Sequence, residues 1–292
     1  MNATSRRIAA CLVTGIACLT ILGVTNAGAT AHPRTTFAQH PNTHHKAAAL
    51  PHLNYYGGRV LTHVKVSVVV WNTWPYGTTV PLTGARSISS FFSGITASPY
   101  FDWLSEYNTP TQKIGRGTLD GVYTVHPPAT ANGTTVTETQ IESALRTMIT
   151  AGQLPKPSTT RLYAIFFRSG QKIVTPDGNS ANDFCAYHET MSYNSSTAYF
   201  AVIPYELRNN GCKAASTSFN SLTTVVSHEL IEGVTDPGVG LNRISWYDPS
   251  NGEIGDICAG VSAPAAVTGG DGARYTVQRE WSNRSRSCIV SR

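Results

Sequence analysis

Short apolar runs along the chain predict strands, because they are rich in β-branched or aromatic residues and are bounded by Gly, Pro or Asn. The predicted strands are 60–71, 119–125, 161–167 and 198–203, with shorter ones near 275–277 and 288–290. The first reads V-L-T-H-V-K-V-S-V-V-V-W and alternates in part, which is typical of a long strand. The third reads R-L-Y-A-I-F-F, so we expect it to be buried.

Helical periodicity marks two segments between these strands. Residues 85–107 are amphipathic but contain Ser98-Pro99, so we expect two helical pieces on either side of that pair. Residues 137–151 carry apolar side chains at i, i+4, i+7 and i+8, which predicts one helix. Thr135 or Thr137 is placed to cap its first turn.

Four cysteines lie in the second half of the chain, at Cys185, Cys212, Cys258 and Cys288. An even number in an exported chain predicts two disulfides, for which three pairings are possible. We favour the pairing of sequence neighbours, which closes loops of about 30 residues and adds about 3 kcal/mol per bridge. A cysteine metal site is disfavoured because no C-x-x-C pair occurs.

Strands and helices are interleaved, without a Gly-rich phosphate loop or an internal repeat. The expected fold is therefore a single α+β domain with a mixed β-sheet and a central, zincin-like helix at 218–233. This domain should span 54–292, with the two disulfides inside it.

The first 53 residues predict export. Residues 1–31 have a short basic start, a 17-residue apolar run and A-x-A cleavage sites, as a cleavable signal peptide does. The apolar run is short and weak for a membrane anchor. Residues 32–53 are rich in His, Pro, Thr and Ala without periodicity, which predicts a disordered mature N-terminus. We therefore expect a secreted protein that does not span a membrane once the leader is removed.

The net charge and its distribution indicate which classes of partner the protein can bind. The chain carries a formal net charge of +5, but charged residues make up only 13% of it and form no basic cluster. A nucleic-acid partner is therefore not expected. The remaining partners for an exported protein of this kind are extracellular peptides, esters or cell-wall polysaccharides.

The motif H-E-x-x-E is the strongest chemical signal in the sequence. His228 and Glu232 are four residues apart on the predicted helix, so they share one face and can bind one ion. Glu229 projects about 100° round from His228, beside such an ion. This is the spacing of the zinc-peptidase motif H-E-x-x-H, in which two histidines bind Zn²⁺ and the Glu activates water. Here a glutamate replaces the second histidine.

Further ligands are expected downstream of the helix. Glu253 lies 21 residues beyond Glu232, and Asp256 follows it shortly after. Together with Asp236 and Asp248, six of the 17 acidic residues fall between positions 229 and 256. Such a cluster repels itself unless a cation or several donors neutralise it.

The identity of the ion is open at this point. Zn²⁺ is favoured by the histidine and the helix spacing, whereas Ca²⁺ is favoured by the oxygen-rich ligand set. His188, beside Cys185, could join the metal, orient a substrate or serve as a structural hydrogen-bonding histidine. Asp236 and Asp248 are candidates for positions behind the ligands or against the substrate.

Five blocks occur in order along the chain: Y-Y-G-G-R-V-L at 55–61, F-C-A-Y-H at 184–188, S-H-E-L-I-E with T-D-P at 227–237, W-Y-D at 246–248 and E-I-G-D-I-C-A-G at 253–260. Together they resemble the phosphate-induced protein or EXORDIUM family of plants. Trp281 and Cys288 fit the C-terminal end of the family pattern. Ala186 stands where the family usually has Gly, and Asp236 stands where it usually has Asn.

The resemblance implies an extracellular, cell-wall-associated protein and marks the two acidic blocks as one site. It implies no settled activity. Our leading hypothesis is a secreted zinc hydrolase of peptidase-like mechanism, in which His228, Glu232 and Glu253 or Asp256 bind the ion and Glu229 is the general base.

Three alternatives stay open. One is a non-catalytic wall- or carbohydrate-binding protein with a structural metal, in which Trp71, Trp74 and Trp246 stack on sugars. Another is a glycoside hydrolase that uses Glu229 with Asp256. The third is a helix without an ion, its charges paired with Arg243, Arg274 or Arg279.

Overall fold

The computed structural model describes residues 50–72, 80–205, 212–239 and 243–292. The predicted leader, most of the predicted tail and Trp74 lie outside these residues. The α-helices are α1 (Ile88–Thr96), α2 (Pro99–Asp102), α3 (Glu138–Thr150) and α4 (Ser218–Thr235), with 3₁₀ turns at Trp103–Tyr107, Ala129–Ala131 and Asp256–Cys258. The strands are β1 (Asn54–Tyr55), β2 (His63–Trp71), β3 (Gly115–Val125), β4 (Thr135–Thr137), β5 (Arg161–Phe166), β6 (Lys172–Thr175), β7 (Gly178–Asn179), β8 (Tyr187–Tyr193), β9 (Ser196–Ile203), β10 (Trp246–Tyr247), β11 (Ala265–Thr268), β12 (Arg274–Val277), β13 (Glu280–Ser282) and β14 (Ser287–Ile289).

A five-stranded mixed sheet forms the centre of the fold, in the order β3-β2-β5-β9-β8. The first four strands are parallel, and β8 runs antiparallel to β9 at the edge. The inner strands β2, β5 and β9 are almost wholly buried, as expected for parallel strands covered on both faces. The mixed sheet and the α+β class predicted from the sequence are confirmed.

The sheet separates two hydrophobic cores. Val66, Val68 and Val70 of β2 point into the core that α1 and α4 cover, whereas Val69 and Trp71 point into the core that α3 covers. This alternation follows from the two-residue repeat of a strand. The helix with the H-E-x-x-E motif therefore shares one face of the central sheet with α1 and packs against β8 and β9.

The helix boundaries predicted from the sequence agree with those in the structure to within a few residues. Ser98 caps α2 by accepting a hydrogen bond from the Tyr100 backbone N–H, and Pro99 occupies its first position, so the break predicted in 85–107 is confirmed. Thr137 and Gln140 form a capping box at the start of α3. Helix α4 extends two residues beyond the predicted end.

The segment after α4 has little regular structure and folds back over the helix. Its strand β10 pairs with β1, and β11 with β12 and β13 with β14 form two antiparallel pairs. Disulfides join Cys185 to Cys212 and Cys258 to Cys288, which confirms the predicted pairing. The second bridge closes the loop that lies over α4.

Some boundaries predicted from the sequence were wrong. Residues 50–53 fell in the predicted disordered tail, but Leu53 is fully buried and its N–H donates to Asn283 Oδ1. The strand predicted at 60–71 corresponds to β2, which begins at His63 rather than at position 60. Strand β8 had not been predicted, because buried His, Glu and Thr side chains interrupt its apolar pattern. Among the described helices, none is both long and apolar enough to span a bilayer.

Candidate metal centre

Helix α4 presents the motif residues in its buried last turns. His228 and Glu232 lie one turn apart, with His228 Nε2 3.1 Å from Glu232 Oε2. Neither side chain has any solvent exposure. Their common face was expected from the spacing of four residues, and the structure brings the two ligand atoms together as expected.

The segment that follows β10 places a third side chain against this pair. Glu232 Oε1 accepts hydrogen bonds from the backbone N–H groups of Gly255 (3.2 Å) and Asp256 (3.1 Å). Asp256 Oδ1 then lies 3.7 Å from His228 Nε2. Position 255 tolerates only glycine here, since a Cβ would lie 2.5 Å from His228 Nδ1.

His188 reaches the same cluster from the edge strand β8. Its Nδ1 lies 3.4 Å from Glu229 Oε2 and 3.6 Å from Glu232 Oε2. Its Nε2 lies 3.5 Å from Glu253 Oε1 and 3.2 Å from the Asp236 carbonyl oxygen. Glu253 is therefore next to His188 rather than His228, so Asp256 is the downstream carboxylate that accompanies the H-E-x-x-E pair.

Two overlapping sets of metal-ligand atoms result, with Glu232 common to both. One is His188, Glu229 and Glu232, and the other is His228, Glu232 and Asp256. Within each set the ligand atoms lie within 4.8 Å of one another. One nitrogen and two carboxylate oxygens in each set suit Zn²⁺ or a harder divalent ion.

Two buried oxygens in this cluster support the fit to a cation. Glu229 Oε1 and Glu232 Oε2 make no hydrogen bond within the described part of the chain, although Glu232 Oε2 lies 3.1 Å from His228 Nε2. Leaving a buried carboxylate oxygen without a donor is costly, and a bound cation would remove that cost. The residues at this site therefore fit a divalent metal.

The pKa shifts show that the surroundings of the cluster disfavour the ionised form of its carboxyl groups. Burial raises the pKa of Glu232 well above its usual range, and the nearby Asp256 and Glu229 raise it further. Burial also raises the pKa of Glu253 to about 8, although His188 opposes the shift. Burial lowers the pKa of His188, but the carboxylates around it outweigh this effect and raise it well above its usual value.

The remaining residues predicted for the site lie around its edge. Asp236 Oδ1 accepts a hydrogen bond from the Ser245 N–H (2.6 Å), and burial raises the pKa of this carboxyl. Asp248 is outside the cluster, because its carboxylate accepts hydrogen bonds from His52, Ser250 and Asn251. Its role is to stabilise the turn that leads back to the site.

Residues that the sequence did not indicate support His228 from behind. Gln278 Nε2 lies 2.9 Å from His228 Nδ1, 2.8 Å from the Gly255 carbonyl oxygen and 3.3 Å from Glu280 Oε2. The Tyr100 hydroxyl donates to Glu280 Oε1 (2.8 Å), and burial raises the pKa of Glu280 to about 7. No local motif marks these residues, because they meet only through tertiary packing.

The hydrogen bonds of the two imidazoles impose different conditions on metal binding. When His188 Nε2–H donates to the Asp236 carbonyl, Nδ1 has its lone pair directed at the carboxylates. His228 Nδ1 instead faces an amide nitrogen of Gln278. For His228 Nε2 to bind metal as neutral imidazole, the Gln278 amide must turn so that its oxygen accepts from Nδ1–H.

Two of the three arginines considered as partners of the helix donate to backbone carbonyls elsewhere. Arg279 Nε donates to the Ala263 carbonyl, and Arg274 donates to the Ala266 carbonyl. The ion pairs described at the cluster join its carboxylates to the two histidines. Pairing with these arginines is therefore not how the charges on α4 are balanced.

Comparisons of the chain with models of protein families, with curated proteins and with solved structures found no match. The resemblance to the EXORDIUM family therefore stays a prediction from the sequence blocks. The fold and the geometry of the cluster carry the functional argument from here.

We expect the metal-free protein to be most stable near pH 5 and to lose stability as the pH rises toward about 8. In this range the folded state keeps the proton on Glu253, whose pKa is about 8, while the unfolded state has released it above 4.5. The unfolding free energy therefore falls as pH rises. The raised pKa of His188 acts in the same direction, since its stabilisation is lost as pH rises through the folded pKa. Thermal unfolding in a chelator at several pH values measures this trend.

Two variants with the same substitution test the origin of that trend. Glu253→Gln should flatten part of the decline, whereas Glu142→Gln on α3, across the sheet, should leave it unchanged. A melting temperature that climbs steadily from pH 5 to pH 8 in the wild-type protein would contradict this account of the cluster.

Replacing Gln278 by Met should weaken zinc binding about 10- to 100-fold, because His228 would lose the group that orients its ring. Competition with a chromogenic chelator measures the affinity. Gln171→Met is the matched control: Gln171 is also buried and donates to a backbone carbonyl, that of Gly133. Equal zinc affinities for the two variants would show that Gln278 does not support a metal ligand.

Proposed function

We propose that this protein is a secreted, metal-dependent hydrolase of peptidase-like mechanism. The observation that carries the proposal is the convergence of His228, Glu232 and Asp256 beside Glu229 on a buried helix. Asp256 is the partly open member of the set, with 17% of its side chain exposed, so substrate would approach from that side. A catalytic metal site needs such an opening, whereas a structural site is closed.

In this proposal His228, Glu232 and Asp256 hold the ion. Zinc bound there would supply a Lewis acid that polarises a substrate carbonyl. Glu232 can serve as a ligand through Oε2 because its other oxygen is held by the N–H groups of Gly255 and Asp256. One histidine and two carboxylates leave an ion less positive than two histidines do, so we expect slower or differently specific hydrolysis.

Glu229 would act as the general base. Its Oε2 is held near His188 Nδ1, while Oε1 makes no hydrogen bond in the described part of the chain and can accept a proton. His188 would thus orient the base, and Glu253 would lie behind His188 as its second charged neighbour.

Export is part of the proposal. The leader at residues 1–31 and the resemblance to the EXORDIUM family favour an extracellular protein. The two disulfides are consistent with an oxidising compartment. An extracellular peptide or ester is then the natural substrate class for this chemistry.

A second candidate is a non-catalytic wall- or carbohydrate-binding protein with a structural metal. The burial of the set around His188 favours it, since His188, Glu229 and Glu232 are at most 2% exposed. The aromatic side chains favour it less. Trp71 is fully buried against Phe167, and Trp246 packs on Tyr55 and Tyr107 rather than standing free for sugars.

Elemental analysis of the purified protein tests the metal. We expect about one equivalent of zinc, which should be lost in a His228→Ala, Glu232→Ala variant because two of the three ligands are removed. A variant with His126→Ala and Glu142→Ala, outside the cluster, should keep it. Calcium in place of zinc would favour the structural role, and no metal after reconstitution would contradict both candidates.

Glu229→Gln tests catalysis separately from metal binding. The variant should keep its zinc and its melting temperature but lose hydrolysis of peptide or ester substrates about 10²- to 10⁴-fold, as expected for loss of a general base. Glu142→Gln serves as the control for the substitution. Full activity in the metal-loaded Glu229→Gln protein would rule out this mechanism.

A further inference from the structure

A cavity of about 630 Å³ lies beside the metal centre and is not used in the mechanism above. Its volume is in the range of small-ligand sites. The side chains that give it chemical character are Tyr55, Tyr56, Arg59, Thr190, Tyr199 and Arg243. The cavity is therefore lined by aromatic rings, several hydroxyl groups and two guanidinium groups.

The charges in this cavity are all of one sign. Among the described lining residues, Arg59 and Arg243 are the charged ones, and no carboxylate accompanies them. Both guanidinium groups act electrostatically on the Tyr199 hydroxyl. Within the described ranges neither makes a hydrogen bond or an ion pair with another side chain. Two cations that share one concave site repel each other, and an anion between them would relieve that repulsion.

The backbone holds the two arginines on neighbouring segments. The Tyr56 N–H donates to the Ser245 carbonyl (2.7 Å), and the Gly58 N–H donates to the Ile244 carbonyl (3.0 Å). At Gly58 a Cβ would lie 2.1 Å from the Arg243 carbonyl oxygen, so only glycine allows this approach. The pairing of these segments is what brings both guanidinium groups to the same cavity.

The cavity and the metal centre share strand β8. His188 and Thr190 are two residues apart, so their side chains lie on the same face, about 7 Å apart along the strand. His188 contacts the metal cluster and the Asp236 carbonyl, while Thr190 lines the cavity and donates to the Val239 carbonyl (2.6 Å). This spacing between a cluster residue and a cavity residue is shorter than an extended peptide of a few residues.

We infer that this cavity binds a carboxylate of the substrate, so that the enzyme acts on acidic peptides. Guanidinium groups bind carboxylates through paired, charge-assisted hydrogen bonds. The tyrosine rings would pack against the peptide on either side of that carboxylate. The inference rests on the proposed hydrolase function, since the cavity is a substrate site only if the metal centre hydrolyses the bound peptide.

Binding of labelled peptides to the zinc-loaded Glu229→Gln protein tests the inference without turnover. Two hexapeptides with amidated C-termini are compared, one with an internal glutamate and one with glutamine in its place. We expect the glutamate peptide to bind at least about tenfold more tightly. A second pair, with free and amidated C-termini, separates a terminal carboxylate from a side-chain carboxylate.

Arg59→Gln with Arg243→Gln should abolish this preference. The matched control is Arg86→Gln with Arg274→Gln, because these arginines line a separate cavity of about 180 Å³. The control should keep the preference, and both double variants should keep their zinc. Equal binding of the glutamate and glutamine peptides to the parent protein would overturn the inference.

The remaining outcomes separate this inference from the proposed function. If the glutamate preference is present and depends on both arginines but no peptide or ester is hydrolysed by the wild-type protein, the hydrolase fails and the carboxylate site stands. If peptides are hydrolysed without preference for acidic residues, the carboxylate site fails and the hydrolase function stands. Tighter binding of an oligogalacturonate than of the glutamate peptide would overturn the peptide assignment in favour of an acidic polysaccharide.

Discussion

The neutralisation of carboxylates in an apolar interior is the constraint on which the rest of this structure depends. The acids concerned are the buried Glu229, Glu232, Asp236, Glu253 and Glu280 and the partly exposed Asp256, gathered around His188 and His228. Ionised carboxylates in such surroundings cost several kcal/mol each unless cations or donors face them. Two imidazoles and a few N–H groups cannot balance six negative charges. The protein must therefore retain protons on several of these groups, bind a cation, or do both.

This constraint explains why remote parts of the chain meet at α4. The helix supplies His228, Glu229 and Glu232 but does not supply donors to the Glu232 oxygen Oε1. Those donors come from the backbone at Gly255 and Asp256. The Cys258–Cys288 disulfide ties this segment to β14, and Gln278 closes the gap behind His228. The irregular segment after α4 is thus ordered by the charges that it covers.

The sequence predicts the parts of this site that depend on local periodicity. The helix and the shared face of His228 and Glu232 follow from spacing, whereas the disulfide pairing was one of three possible pairings, favoured because it joins sequence neighbours. Strand β8 escaped prediction because its buried polar side chains serve the cluster and so break the apolar alternation. Gln278 was not predicted as a site residue, because its partners are distant in the sequence and belong to no recognisable motif. The placement of Glu253 against His188 depends on the path of a turn, which spacing does not determine.

A bound divalent cation would stabilise the folded protein at this site and would also take part in the proposed hydrolysis. With His228 neutral, two charges on the ion would equal those on Glu232 and Asp256, so the set would carry no net charge. The positive charge of the ion would also favour the ionised form of the carboxyls that bind it. The same burial that makes the metal-free cluster costly would therefore favour metal binding. A structural and a catalytic role for the ion are in this sense two consequences of one electrostatic requirement.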